Sequence, residues 1–136
     1  MNEDEAARAE KTVHDLTRIY QRIFDAAPNA FMVFDPAGEV VLANPAAELM
    51  FGYPIDRLKG MTVEELMPDR FRERHLNHRK VYSVEPRNRQ MGRGIDLYGL
   101  RRDGVEIPVE IMLGPVVLDD GTYTIAIVRR RSGDSA

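Results

Sequence analysis

Apolar and polar residues alternate most regularly over Gly92–Arg131, where three successive antiparallel strands are predicted. The first, near Gly94–Arg101, carries Ile95, Leu97 and Tyr98. It runs into an Arg102-Asp103-Gly104 break, and Asp-Gly favours a hairpin. In the second, near Glu106–Pro115, Ile107, Val109, Ile111 and Leu113 share one face. Glu106, Pro108, Glu110 and Met112 share the other. Asp119-Asp120-Gly121 makes the next turn. The third strand, near Thr122–Arg130, sets Tyr123, Ile125 and Ile127 on one face and Ala126 and Val128 on the other. Such a meander has one strongly apolar face, which must be covered.

Upstream, the period changes. Over residues 3–27, Val13, Leu16, Tyr20, Ile23 and Ala27 recur at spacings of three and four, and Pro28 ends the pattern. This predicts one amphipathic helix with a seam over about two heptads. The helix either lies on its own domain or pairs with a second copy, and the two are compatible. Ala30–Asp35 and Glu39–Ala43 read as strands around an Asp35-Pro36-Ala37-Gly38 turn. Both are apolar on both faces, so each side of the sheet is expected to be covered. Asn44-Pro45 is an N-cap followed by proline at the first helical position, opening a helix over Pro45–Phe51 that Gly52 closes. Short helical turns follow at Pro54–Leu58 and from Thr62, where Thr62 and Glu65 form a capping box. A longer helix is predicted over Phe71–Val84. Phe71, His75, His78 and Tyr82 fall within an arc of about 60° on it. Glu85–Gln90 reads as a polar loop.

Composition narrows the function. A chain of 136 residues is one domain with an appended helix, and 43% hydrophobic residues fill an ordinary core. A net charge of −3 and a pI near 5.6 give no reason to expect nucleic acid or an anionic membrane as partner. Three arginines at Arg129–Arg131 read as a solvated strand end. The absence of cysteine excludes disulfides, thiolate catalysis, zinc–cysteine sites and cysteinyl-flavin photochemistry within the chain, and suits a cytoplasmic setting. No apolar run approaches the ~20 residues that span a bilayer. The acidic N-terminus lacks a secretory signal's apolar core.

No residue set carries catalysis. Met91-Gly92-Arg93-Gly94 has no helix behind it, so it is not a nucleotide fingerprint. His75 and His78 could share a metal at i, i+3 spacing, but no third ligand is evident. The remaining candidate is an apolar cavity between the helices and the meander, the alternative being that the same residues fill a solid core. Its expected lining is Met50, Leu66, Phe71, His75, His78, Tyr82, Ile95, Leu97, Val109, Ile111, Ile125 and Ile127.

Several strings, in this order and spacing, carry a family resemblance. They are Phe24-Asp25-Ala26-Ala27-Pro28-Asn29-Ala30, Phe34-Asp35-Pro36-Ala37-Gly38, Ala43-Asn44-Pro45-Ala46-Ala47-Glu48, Phe51-Gly52-Tyr53 and Leu58-Lys59-Gly60. Arg101-Arg102-Asp103-Gly104 followed by Ile107-Pro108-Val109-Glu110-Ile111 completes the set. Together they resemble the PAS domain family over residues 24–131. The resemblance implies an α+β fold: a five-stranded antiparallel sheet of order 2-1-5-4-3 with helices on one face. It also implies a sensory and dimerisation module within a two-component or transcription-regulating protein, with no enzymatic activity of its own. Residues 1–27 would be the dimerisation helix, 28–131 the domain and 132–136 a flexible tail. Expected partners are a second copy, an effector domain or signalling protein, and a small apolar ligand. Many members end the last strand with Asp-Ile-Thr, which leads into a connector helix. Here Arg129-Arg130-Arg131 is followed by Ser132-Gly133-Asp134-Ser135-Ala136, as in a domain cut at its edge or a short stand-alone member.

Within the family, haem-binding oxygen sensors carry an axial histidine on the long helix. Pro68-Asp69-Arg70-Phe71-Arg72-Glu73-Arg74-His75, with Tyr82 further on, is similar to that motif, which makes His75 the candidate ligand. Their distal arginine has no counterpart in Gly94-Ile95-Asp96-Leu97; Arg93 is the nearest. Non-covalent flavin is a further alternative. The leading expectation is a domain without a cofactor.

Overall fold

The computed structural model describes residues 2–72, 89–91 and 97–131. Asn2 caps the first helix: its side chain accepts the Glu5 N–H at 2.8 Å. Glu3, Asp4 and Glu5 occupy the first turn, at the positive end of the helix dipole. Helix α1 runs Glu3–Ala26, and none of its residues is buried. Strands β1 (Ala30–Phe34) and β2 (Val40–Ala43) follow. In the turn between them, the Asp35 carboxylate accepts the N–H groups of Ala37 and Glu39 at 3.0 and 2.9 Å. The backbone is thereby reversed as the Asp-Pro-Ala-Gly string predicts.

Helix α2 (Pro45–Phe51) begins at the Asn44 cap and ends at Gly52, and α3 (Ile55–Leu58) follows. The Thr62–Glu65 capping box forms as expected, but it opens a 3-10 turn, Val63–Leu66. Residues 69–72 are helical. The rest of the predicted Phe71–Val84 helix lies outside the described residues. Then come β3 (Arg89–Met91), β4 (Tyr98–Leu100), β5 (Glu106–Leu118) and β6 (Gly121–Arg130).

The sheet is antiparallel, in the order β2-β1-β6-β5-β3, with β4 also paired to β5. Strands β3 and β4 share one edge of β5, β3 against Ile111–Leu113 and β4 against Glu106–Pro108. Together they occupy the third-strand position, so the five-position order 2-1-5-4-3 holds. Two expectations change at this edge. Strand pairing starts at Arg89, inside the predicted Glu85–Gln90 loop, and the predicted strand near Gly94–Arg101 is paired only over Tyr98–Leu100 among the described residues. Met91 and Tyr98 are seven positions apart, whereas their partners Ile111 and Pro108 are three apart. A regular ladder would keep the two separations equal.

Residues directly opposite on neighbouring strands share a face. Ala30 pairs with Val128, Met32 with Ala126 and Ala43, and Ile111 with Val128. These form the inner face, which packs with Ala47, Phe51, Leu58 and Leu66 into one core. Ala30, Ala43 and Ala126 on the sheet meet the helices through small side chains, as does Ala47 on α2. Small residues on both sides let the helical layer sit close to the sheet.

Candidate functional site between the helices and the sheet

The inner face brings together part of the predicted lining. Leu66 and Val109 are buried, and Met50, Leu97 and Ile111 pack half-buried against the core. Alternation along β5 puts Val109 and Ile111 inward, and the Val109 N–H donates to the Leu97 carbonyl at 2.9 Å. Beside them, β4 approaches α2 at Gly99. A Cβ there would stand 3.0 Å from the Phe51 ring, so the missing side chain is what admits the strand. Phe71 is half-buried at the rim, its ring parallel to that of Tyr98 with centroids 6.3 Å apart.

Ile125 and Ile127 do not join this lining. Ile127 pairs with Phe31 and Met112, and Ile125 with Val33 and Gly114, all on the outer face. Ala126 and Val128 take the inward positions. The physical reason is that β6 is apolar on both faces, so its period carries no orientation, and the register with β1 decides it. His75, His78, Tyr82 and Ile95 lie outside the described residues. Among the described residues, no group of three or more His, Asp or Glu side chains could hold a metal. No helix among them is long and apolar enough to cross a membrane.

A second surface lies away from this lining. The seam residues Val13, Leu16, Tyr20 and Ile23 stand on α1 with Ile19 between them, from 45% to 66% exposed. Ala27 follows the helix, half-buried. The structure therefore keeps the stripe off the body of its own chain. The outer sheet face is also apolar: Leu42 and Met112 are 50% and 54% exposed, beside half-buried Phe31, Val33, Ile125 and Ile127. Glu110 and Arg129, directly opposite one another, form a charged pair on this face at 2.7 Å. The expectation that both sides of the sheet are covered is thus met within the chain only on the inner face.

Asn44 joins the two surfaces and does far more than cap α2. It is fully buried, and its Oδ1 accepts the N–H groups of Ala47 and Phe31 at 3.1 and 2.9 Å. Its Nδ2 donates to the carbonyls of Phe24 and Asn29, both at 3.0 Å. Every hydrogen-bonding direction of a buried amide is used. The Phe24 ring adds an edge contact to Phe31, centroids 6.2 Å apart. The cap signal in the sequence located Asn44, but the partners on α1 and β1 are visible only in the fold.

Arg101 has a role that sequence reasoning missed. Its Nη1 donates to the carbonyls of Leu49 and Met50 at 3.0 and 2.6 Å, at the negative end of α2. Asp103 beside it is held below the usual carboxylate range, first by the Val105 N–H and then by Arg101. A second missed contact is the fork between Arg70 and Glu106. Residues so far apart in the chain leave no local pattern to read.

Comparison with known proteins identifies this fold. The PAS fold family model matches residues 18–131, and the chain belongs to that family. It is 29% identical over 126 residues to the sensor protein FixL of Bradyrhizobium diazoefficiens, covering 93% of this chain and 25% of FixL. To the oxygen sensor protein DosP of Escherichia coli it is 29% identical over 98 residues, covering 72% of this chain and 12% of DosP. The chain thus spans a quarter or less of these relatives. The crystal structure of the PAS domain of an HTR-like protein from Haloarcula marismortui superposes with a TM-score of 0.75 at 22% identity, covering 92% of this chain and 99% of that one. The domain is therefore a PAS sensory domain related to those of sensor proteins.

Proposed function

We propose that this domain senses a small ligand or a partner on its inner, helix-covered side, and that it works as a homodimer built from α1 and the outer sheet face. It carries no catalysis of its own and regulates a kinase, cyclase or transcription regulator in the cytoplasm. In this reading, residues 1–27 are the dimerisation helix and 28–131 the sensory domain. One observation supports it above others: the α1 stripe and the outer face are both apolar and both exposed on the single chain. Complete burial of a large aliphatic side chain contributes about 1.5–3 kcal/mol, so the half-exposed Val13, Leu16, Ile19 and Ile23 offer about 3–6 kcal/mol per helix. A pair of helices therefore offers about 6–12 kcal/mol against an association cost of about 4–15 kcal/mol, which leaves little surplus unless the sheet face joins the interface.

The test is size-exclusion chromatography with light scattering on the wild type and on Leu16→Glu. A dimer that becomes a monomer supports the seam. A dimer unchanged by Leu16→Glu rules the seam out. For the sensory half, an absorbance spectrum and native mass spectrometry of the purified protein show whether a chromophore or a bound mass is present.

The similarity to DosP favours a second reading, an oxygen or gas sensor that binds haem through His75. A Soret band lost in His75→Ala supports it. Haem-supplemented protein without that band ends it.

A further inference from the structure

Three stretches of chain meet at the β4 edge of the sheet. Arg70 forks onto Glu106, with Nη1 donating to Oε2 at 2.8 Å and Nη2 to Oε1 at 2.6 Å. The Arg70 guanidinium stands 4.6 Å from the Phe71 ring centroid and 5.4 Å from that of Tyr98. Phe71 and Tyr98 themselves stack at an interplanar angle of 12°. From the other side, the Arg131 guanidinium lies 5.5 Å from the Tyr98 centroid, and the Arg131 N–H donates to the Pro108 carbonyl at 3.0 Å.

The register shows where this cluster sits. Tyr98 pairs with Pro108. Pro108 alternates with inward Ile107 and Val109, so it belongs to the outer face. Tyr98, Pro108 and Arg131 therefore form a row across the sheet on its outer side, at the end of β6. Arg70 and Phe71 belong to the helical turn 69–72 that follows the inner layer. Their side chains join that turn to the outer row around the sheet edge.

A half-exposed ion pair adds little to stability. A planar fork flanked by two rings does add geometric definition. Weak but geometrically defined contacts suit a connection that must open and close. We propose that the Arg70–Glu106 fork and the Phe71–Tyr98 stack couple the helical turn at 69–72 to the outer sheet face and to the end of β6 at Arg131. With the fork closed, Tyr98 is held against Arg131, and the Arg131 N–H stays on the Pro108 carbonyl just beyond β6. With the fork open, that row loosens. The proposal rests on the sensory reading above, because it supplies a route from the helix-covered side to the outer face.

The experiment uses the full chain and NMR amide exchange. Arg70→Lys keeps the charge and removes the fork, and Glu106→Gln keeps the shape and removes the charge. Each is expected to speed exchange of the Arg131 amide by about two- to fivefold, the range that a pair of this exposure can hold. The Ile107 and Val109 amides, in the core, are expected to keep their protection. The double variant is expected to match the singles, not to double their effect. An Arg131 amide unmoved in both singles overturns the coupling, as does a loss that spreads equally to Ile107 and Val109. Light scattering on the same samples keeps the two ideas apart. A monomeric wild type removes the dimer reading, while the exchange result still decides the coupling.

Discussion

The Asn44 side chain donates to the carbonyl of Phe24, 20 residues earlier and 3.0 Å away, and so ties the last turn of α1 to the start of α2. The same amide accepts the Phe31 N–H, which places the helix end, the first strand and the second helix on one buried group. All three elements thus share one hydrogen-bonding side chain.

Replacing Asn44 with Ala leaves the Phe31 and Ala47 N–H groups and two carbonyls without this partner. The expected loss is about 3 kcal/mol, combining a lost cap with buried unsatisfied groups. Urea denaturation measures it. Asn44→Asp keeps both acceptor bonds but sets a carboxylate against the Phe24 and Asn29 carbonyls. The expected outcome is faster amide exchange in the last turn of α1 with α2 still formed.

Arg101→Ala removes two charged hydrogen bonds from the C-terminal carbonyls of α2. The expected cost is about 1–3 kcal/mol. Arg101→Lys is expected to recover only part, because an ammonium lacks the planar spread of donors. Thermal denaturation of the three proteins ranks them.

Gly121 and Gly104 both have positive φ, at 135° and 88°, yet differ in surroundings. A Cβ on Gly121 would stand 2.7 Å from the Pro36 ring, whereas Gly104 has nothing within 4 Å. Gly121→Ala therefore carries backbone strain plus a clash, about 2–4 kcal/mol. Gly104→Ala carries strain alone, about 1–2 kcal/mol. Equal losses in urea denaturation would show that the two turns at Pro36 and Gly121 are not packed together.

Glu106 titrates below the ordinary glutamate range, chiefly through its hydrogen bonds from Arg70. A carboxyl depressed in the folded state binds its proton less readily than in the unfolded chain. Its contribution is present above the unfolded value of about 4.3 and is lost as pH falls through the lower folded value. Carboxyl carbon shifts measured by NMR should show Glu106 titrating low in the wild type and returning to the ordinary range in Arg70→Ala.

Much of this domain is written locally. Pro28 stops α1, Asn44-Pro45 starts α2, Thr62 and Glu65 box the 3-10 turn, and Asp35 reverses the first hairpin. Each is a short-range hydrogen bond or a fixed φ, so neighbouring residues suffice to specify it. Strand β5 is equally legible, because its polar and apolar residues alternate and only one orientation buries the apolar set.

Three features were decided by the tertiary structure alone. Strand β6 is apolar on both sides, so pairing with β1 had to choose Ala126 and Val128 for the core and leave Ile125 and Ile127 outside. The α1 seam was readable as a stripe, but whether its own domain covers it depends on where the helix leaves Asn44, and it stands clear. Arg70 and Glu106 are ordinary surface charges in the sequence. Only the fold brings them within 2.6 Å, since an ion pair between distant residues has no period to betray it.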